Sequence, residues 1–260
     1  MSSNISLWIR RATMLAALSS SVIFAQRADL RTIGSVSSTI DQSGSYVVSA
    51  GFFVGSGGDG ITVTASSVSI DLNGQEIQCP GSLRGVGIRI NGAQNVVIRN
   101  GHISNCAMGV VVFNSANVRL EGLVIRGTAI AVSAPPPEIG IMVMQSRNVA
   151  VLNNMIYNAG LGIFVRGGRS FGNRIEGNTL TANANGALGI CYNPTDTDTA
   201  GPQGDLVKGN VIRGYPTAIA LNKTSNYNVI QGNTLFYTAM AIATESTTNF
   251  DMENVKVQIK

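Results

Sequence analysis

Two rows of side chains combine residue types and spacing suited to holding a ligand. Arg89, Val111, Met142, Phe164 and Cys191 form one; Asn91, Phe113, Met144, Arg166 and Asn193 form the other, and neighbours in each row lie 22 to 31 residues apart. Aromatic faces beneath sugar rings, with guanidinium groups on carboxylates, suit an extended anionic glycan. Arg89, Asn91, Phe113, Met144, Phe164 and Arg166 are therefore the expected substrate-binding set. A strip of apolar groups facing away from a core also suits protein contacts, or a covering loop.

Other reactive groups are sparse. Asp196, Asp198 and Gly201 match positions one, three and six of a calcium loop, with Asp205 nearby, but Ala200 holds position five and no Glu closes the loop. Calcium at Asp196, Asp198 and Asp205 is set against a solvated acidic loop, and no other metal or cofactor is expected. An outward row reads Asp71, Arg99, Glu121, Leu152, Glu176, Lys208, Gln231 and Glu253, so opposite charges are expected to pair between stacked neighbours. Its acids Glu121 and Glu176 fall two repeats apart, ~10 Å at strand spacing, wider than the ~9.5 Å limit for an inverting carboxyl pair. His102 is the only histidine, which removes histidine clusters and dyads; beside a turn, it reads as a surface residue. Cys79 and Cys106 occupy one corner of successive repeats, where a disulfide and two buried thiols both fit; Cys191 has no partner in this register. None of the three has zinc-site spacing.

These rows need a repeating scaffold, and the chain carries one. Gly74, Asn100, Gly122, Asn153, Gly177, Gly209, Gly232 and Asn254 each precede an aliphatic residue by three: Ile77, Ile103, Ile125, Ile156, Leu180, Ile212, Leu235 and Val257. Gly and Asn tolerate positive φ at least cost, so one left-handed turn is expected eight times over. Leu72, Ile98, Leu120, Val151, Ile175, Val207, Ile230 and Met252 form a second inward column. A third begins with a small residue before an aliphatic one, from Gly60-Ile61 to Ala241-Ile242. Apolar residues alternate with others inside each strand, as in Ile88-Arg89-Ile90. The recurrent minimum near 22 residues fits a three-strand coil, and the fold class expected is all-β: a single-stranded parallel β-helix of about eight coils. Asn154, Asn178, Asn210 and Asn233 share one turn position in four consecutive coils, which predicts an asparagine ladder along the axis.

The segments Asn95-Val96-Val97-Ile98-Arg99-Asn100-Gly101-His102-Ile103, Ile175-Glu176-Gly177-Asn178-Thr179-Leu180 and Ile230-Gln231-Gly232-Asn233-Thr234-Leu235 resemble the right-handed parallel β-helix, or pectin-lyase-like, superfamily over residues 33–260. The resemblance implies right-handed coiling, secretion and a polysaccharide partner. Its members include polysaccharide lyases, hydrolases and epimerases. The Asp-Pro-His-Asp pattern of alginate epimerases and the calcium ligand set of pectate lyases have no counterpart, so catalytic residues are unassigned and catalysis is left open. A non-catalytic structural or surface-association module is the alternative.

Composition narrows the partners. Of 260 residues 12% are charged, and the net charge of +4 falls to +2 without Arg10 and Arg11 (16 − 14), which argues against nucleic acid. Residues 1–25 read as a signal peptide: Arg10 and Arg11, an apolar run from Ala12, then Ala25 at the cut. The mature chain is expected to be secreted or periplasmic without a membrane span. Residues 26–59 form the expected N-terminal cap and first strands, and residues 60–260 the β-helix. No closing helix follows the last coil, so fraying or self-association is expected there, with Lys256 and Lys260 as edge charges. Two loops are long: residues 125–141, with Pro135-Pro136-Pro137, and residues 190–207, with the Thr-Asp run.

Overall fold

A computed structural model describes residues 30–34, 37–80, 85–127, 138–183, 186–193 and 199–259. Every regular element among them is a strand. The strands wind into a parallel β-helix of about eight turns, each turn contributing a rung to three faces. One turn runs through Ile139–Met144, Ala150–Leu152 and Met155–Tyr157 before Leu161–Arg166 begins the next.

The inward columns explain the winding. Val110, Ile141, Ile163, Ile190 and Ile219 stack in register on the first face. Leu120, Val151, Ile175, Val207 and Ile230 do so on the second. Ile103, Ile125, Ile156, Leu180, Ile212 and Leu235 do so on the third. None of these is more than 3% exposed. Each buried aliphatic contributes roughly 1.5–3 kcal/mol, and the single-residue alternation leaves the flanking side chains outside.

Corners are where sequence dictates backbone. Gly74, Asn100, Gly122, Asn153, Gly177, Gly209 and Gly232 all have positive φ. The small residue opening each first strand has a different cause: a Cβ on Gly140 would lie 2.5 Å from the Gly162 carbonyl oxygen of the next rung.

The last turn departs from the expected register. Positive φ falls at Glu253, not Asn254. Asn254 keeps its place beneath Asn233, whose backbone N–H and Nδ2 donate to its Oδ1 at 2.7 and 2.8 Å. A one-residue slip exchanges the faces of a strand. Asp251 therefore lies opposite Ile230 and Lys256 opposite Leu235, while Met252 and Val257, expected in the core, are 42% and 37% exposed. Asp251 and Lys256 form an ion pair with each other at the inward column of this turn.

At the other end, the first strands expected within residues 26–59 stack onto the turns that follow. Leu30–Ile33 pairs with Gly44–Val48, Ser38–Ile40 with Asp59–Val63, and Phe52–Phe53 with Glu76–Gln78. Ile33, Ile40, Tyr46 and Phe52 are buried, whereas Phe53 is 73% exposed. Cys79 and Cys106 are disulfide-bonded across adjacent turns, with Cα atoms 4.8 Å apart, which decides between bridge and thiols. The signal-peptide segment, Val36 and the triple proline lie outside the described residues.

Candidate functional site

The first face stacks both candidate rows one residue per turn: Arg89, Val111, Met142, Phe164 and Cys191, beside Asn91, Phe113, Met144, Arg166 and Asn193. Only part of this strip is open. Val111 (3%), Met142 (7%) and Cys191 (3%) are buried, and the first two join Val86 and Ile139 in an apolar cluster separate from the main core. Phe113, Met144 and Phe164 pack against that cluster and keep part of their surface, and Asn91 is exposed. The Arg166 guanidinium carbon lies 5.9 Å from the Phe164 ring centroid, within cation–π reach. Arg89 is otherwise engaged: its Nε and Nη2 donate to the Asp59 carboxylate at 2.5 and 3.1 Å. Burial pushes the Cys191 thiol up to about 12, which leaves no nucleophilic thiolate at neutral pH.

Asp205 is not an exposed loop ligand. It is 1% exposed and accepts the Asn173 backbone N–H at 2.8 Å and Asn173 Nδ2 at 3.1 Å. Burial pushes its carboxyl up to about 7, against the lowering effect of those hydrogen bonds. Burial, with the Asp205 charge beside it, also raises the Tyr192 phenol; that hydroxyl lies near the carboxylate without a hydrogen bond of normal geometry. Asp196 and Asp198 lie outside the described residues.

The expected charge pairing between turns holds for Arg99 with Asp71, at 3.1 Å. Arg119 with Glu121 and Arg174 with Glu176, each at 2.8 Å, instead pair within a strand, because residues two apart share a face. Neither acid stands out as catalytic.

Sequence reasoning missed a second cluster, on the third face. Glu76, His102 and Val124 follow one another in register, with Ser104 and Arg126 in the next outward row. Together they line an open cleft of about 360 Å³. Ser104 Oγ donates to Glu76 Oε1 at 2.6 Å. The available signal was position: these residues flank the inward Ile77, Ile103 and Ile125 on three successive turns.

A family model described as "NosD: Periplasmic copper-binding protein (NosD)" matches residues 54–255. No curated protein matches the chain. Among solved structures, it is similar to the Dettilon tailspike protein, at 13% identity and TM-score 0.58 over 88% of this chain and 55% of that one. It resembles an endo-xylogalacturonan hydrolase from Aspergillus tubingensis at 10% identity and TM-score 0.55, over 87% and 85% of the two chains. An exopolygalacturonase from Thermotoga maritima aligns at 13% identity and TM-score 0.53, over 82% and 55%. The chain thus spans about half of the tailspike's length. At such identities the likeness shows the fold alone, a parallel β-helix.

The matching family's description names copper. Among the described residues, no three His, Cys, Asp or Glu side chains converge on a common point. His102 is the only histidine, two cysteines are bridged and the third is buried. These His, Cys, Asp and Glu side chains do not form a copper site among the described residues.

Proposed function

We propose that this chain, which belongs to the NosD family of periplasmic proteins, is exported by its N-terminal segment and binds an extended acidic polysaccharide along its first face. The observation that carries this reading is the Phe164–Arg166 pair: an aromatic ring and a guanidinium held together, in register with Phe113, Met144 and Asn91. Turns repeat at ~4.8 Å, a step close to the length of one sugar ring, so successive rungs meet successive units. Phe113 and Phe164 supply apolar faces, Arg166 binds carboxylate and Asn91 bonds hydroxyls. The polysaccharide-degrading enzymes that share the fold support the substrate class; no catalytic residue is assigned.

A glycan array with the full chain tests the proposal. Phe164→Ala and Arg166→Ala should each weaken binding to acidic polysaccharides about tenfold or more; failure to bind any acidic glycan overturns it. The apolar cluster around Val111 and Met142 favours a second reading, a surface that meets another protein. That reading predicts a concentration-dependent oligomer disrupted by the same two substitutions.

A further inference from the structure

Among the described residues, the third-face cleft holds an arginine and a carboxylate with no ion pair between them. Arg89, Arg99, Arg119 and Arg174 are all ion-paired with carboxylates. Arg126 lines the cleft, is exposed, and has no ion-pair or side-chain hydrogen-bond partner among the described residues. Glu76 lies two rungs away in the same cleft and is held instead by the Ser104 hydroxyl, which occupies one carboxylate oxygen and leaves the other to accept. The cleft therefore presents an oriented acceptor at one end, a planar bidentate donor at the other, and His102 and Val124 between.

We propose that this cleft is a second binding site, for a hydroxylated carboxylate of the acidic-sugar class. The ligand's carboxylate lies on Arg126 through paired N–H donors, the geometry guanidinium is built for. Its hydroxyls donate to the free oxygen of Glu76, and its apolar face rests on Val124. A phosphate dianion is disfavoured by the Glu76 charge. A divalent cation finds only one carboxylate here, fewer oxygens than such ions take. The same outward row continues along the axis through Tyr157, Thr181, Arg213 and Phe236, one per turn, with the Arg213 guanidinium carbon 4.5 Å from the Phe236 centroid. A ligand several units long extends over that row. The site stands on another face from Phe164 and does not depend on the first-face reading.

Calorimetry with the full chain and two probes, a hexuronic acid trimer and the neutral hexose trimer of the same linkage, tests it. The acidic trimer should bind at least tenfold more tightly than the neutral one. Arg126→Gln and Glu76→Gln should each cost about tenfold, while Arg174→Gln, exposed on the second face outside both proposed sites, leaves this binding unchanged. All three residues are exposed, and a β-type circular dichroism spectrum will show that the variants fold. Equal binding of the two trimers, no binding, or wild-type binding by Arg126→Gln overturns the site. Loss confined to Phe164→Ala overturns it while sparing the first face.

Discussion

Two columns of corner side chains run down the axis five residues apart in sequence, and they differ at one atom. In the first, Asn154, Asn178, Asn210, Asn233 and Asn254 each receive a backbone N–H and, below the first member, the Nδ2 of the rung above. In the second, Asn173, Asp205, Asn228 and Asn249 repeat the geometry with a carboxyl in place of one amide. An amide both donates and accepts, whereas a carboxylate only accepts. Asn228 Oδ1 therefore receives the Asp205 N–H at 3.0 Å but no side-chain donor from that rung. A protonated Asp205 would restore the missing donor. The comparison shows that stacking geometry tolerates the exchange while the cost is carried by protonation, as the raised carboxyl already indicates.

The largest effect should come from deleting an amide in the unbroken column. Asn178 accepts from Asn154 N and Nδ2 and donates to Val151 O and Asn210 Oδ1. Asn178→Ala strands several buried groups, and a loss of roughly 4–6 kcal/mol in urea unfolding is expected. A loss below about 1 kcal/mol would show that the column is not a structural stitch.

Next is Asp205→Asn, which makes the two columns alike. The folded carboxyl titrates at about 7 against an ordinary 3.8. The folded chain therefore binds the extra proton between those values, and wild-type stability declines as pH rises from about 4 to about 7, then levels. Asp205→Asn should remove that decline, adding roughly 4 kcal/mol above pH 7 and little at pH 4. Parallel pH profiles for the two proteins would refute the comparison.

A third effect concerns turns that precede both columns. Their corners hold Gly101 and Leu123 where later turns hold Asn154, and they are tied by Cys79–Cys106, 27 residues apart. Reducing that bridge should cost about 3.5 kcal/mol by loop entropy. Hydrogen exchange should rise in residues 76–126 and stay unchanged beyond residue 150; uniform loosening would mean that the columns do not hold their own turns. The smallest effect is Tyr215→Phe. This buried hydroxyl has no hydrogen-bond partner among the described residues, so its removal should leave stability equal or up to about 1 kcal/mol higher in thermal unfolding.

Much of this was legible because it repeats. Asn154, Asn178, Asn210 and Asn233 share a turn position that the glycine and asparagine spacing marks. The second column was equally readable: Asn173, Asp205, Asn228 and Asn249 each stand five residues before a first-column asparagine. Asp205 escaped that reading because an acid in a Thr-Asp loop suggests a solvated ligand, and only burial distinguishes the two. The same holds for Val111 and Met142, whose outward direction was plain but whose covering was not.

The amino-acid order by itself determined the period, the three inward columns and the rows standing on each face, since alternation and turn chemistry are local. Tertiary structure decided what depends on contact between rungs. It set the last turn by hydrogen-bonding Asn254 beneath Asn233, at the expense of burying Met252 and Val257. It also brought Glu76, Ser104 and Arg126, spread over 50 residues, into one cleft. The physical reason is that residues a full coil apart meet only after stacking, and a one-residue change of register sends a side chain to the opposite face.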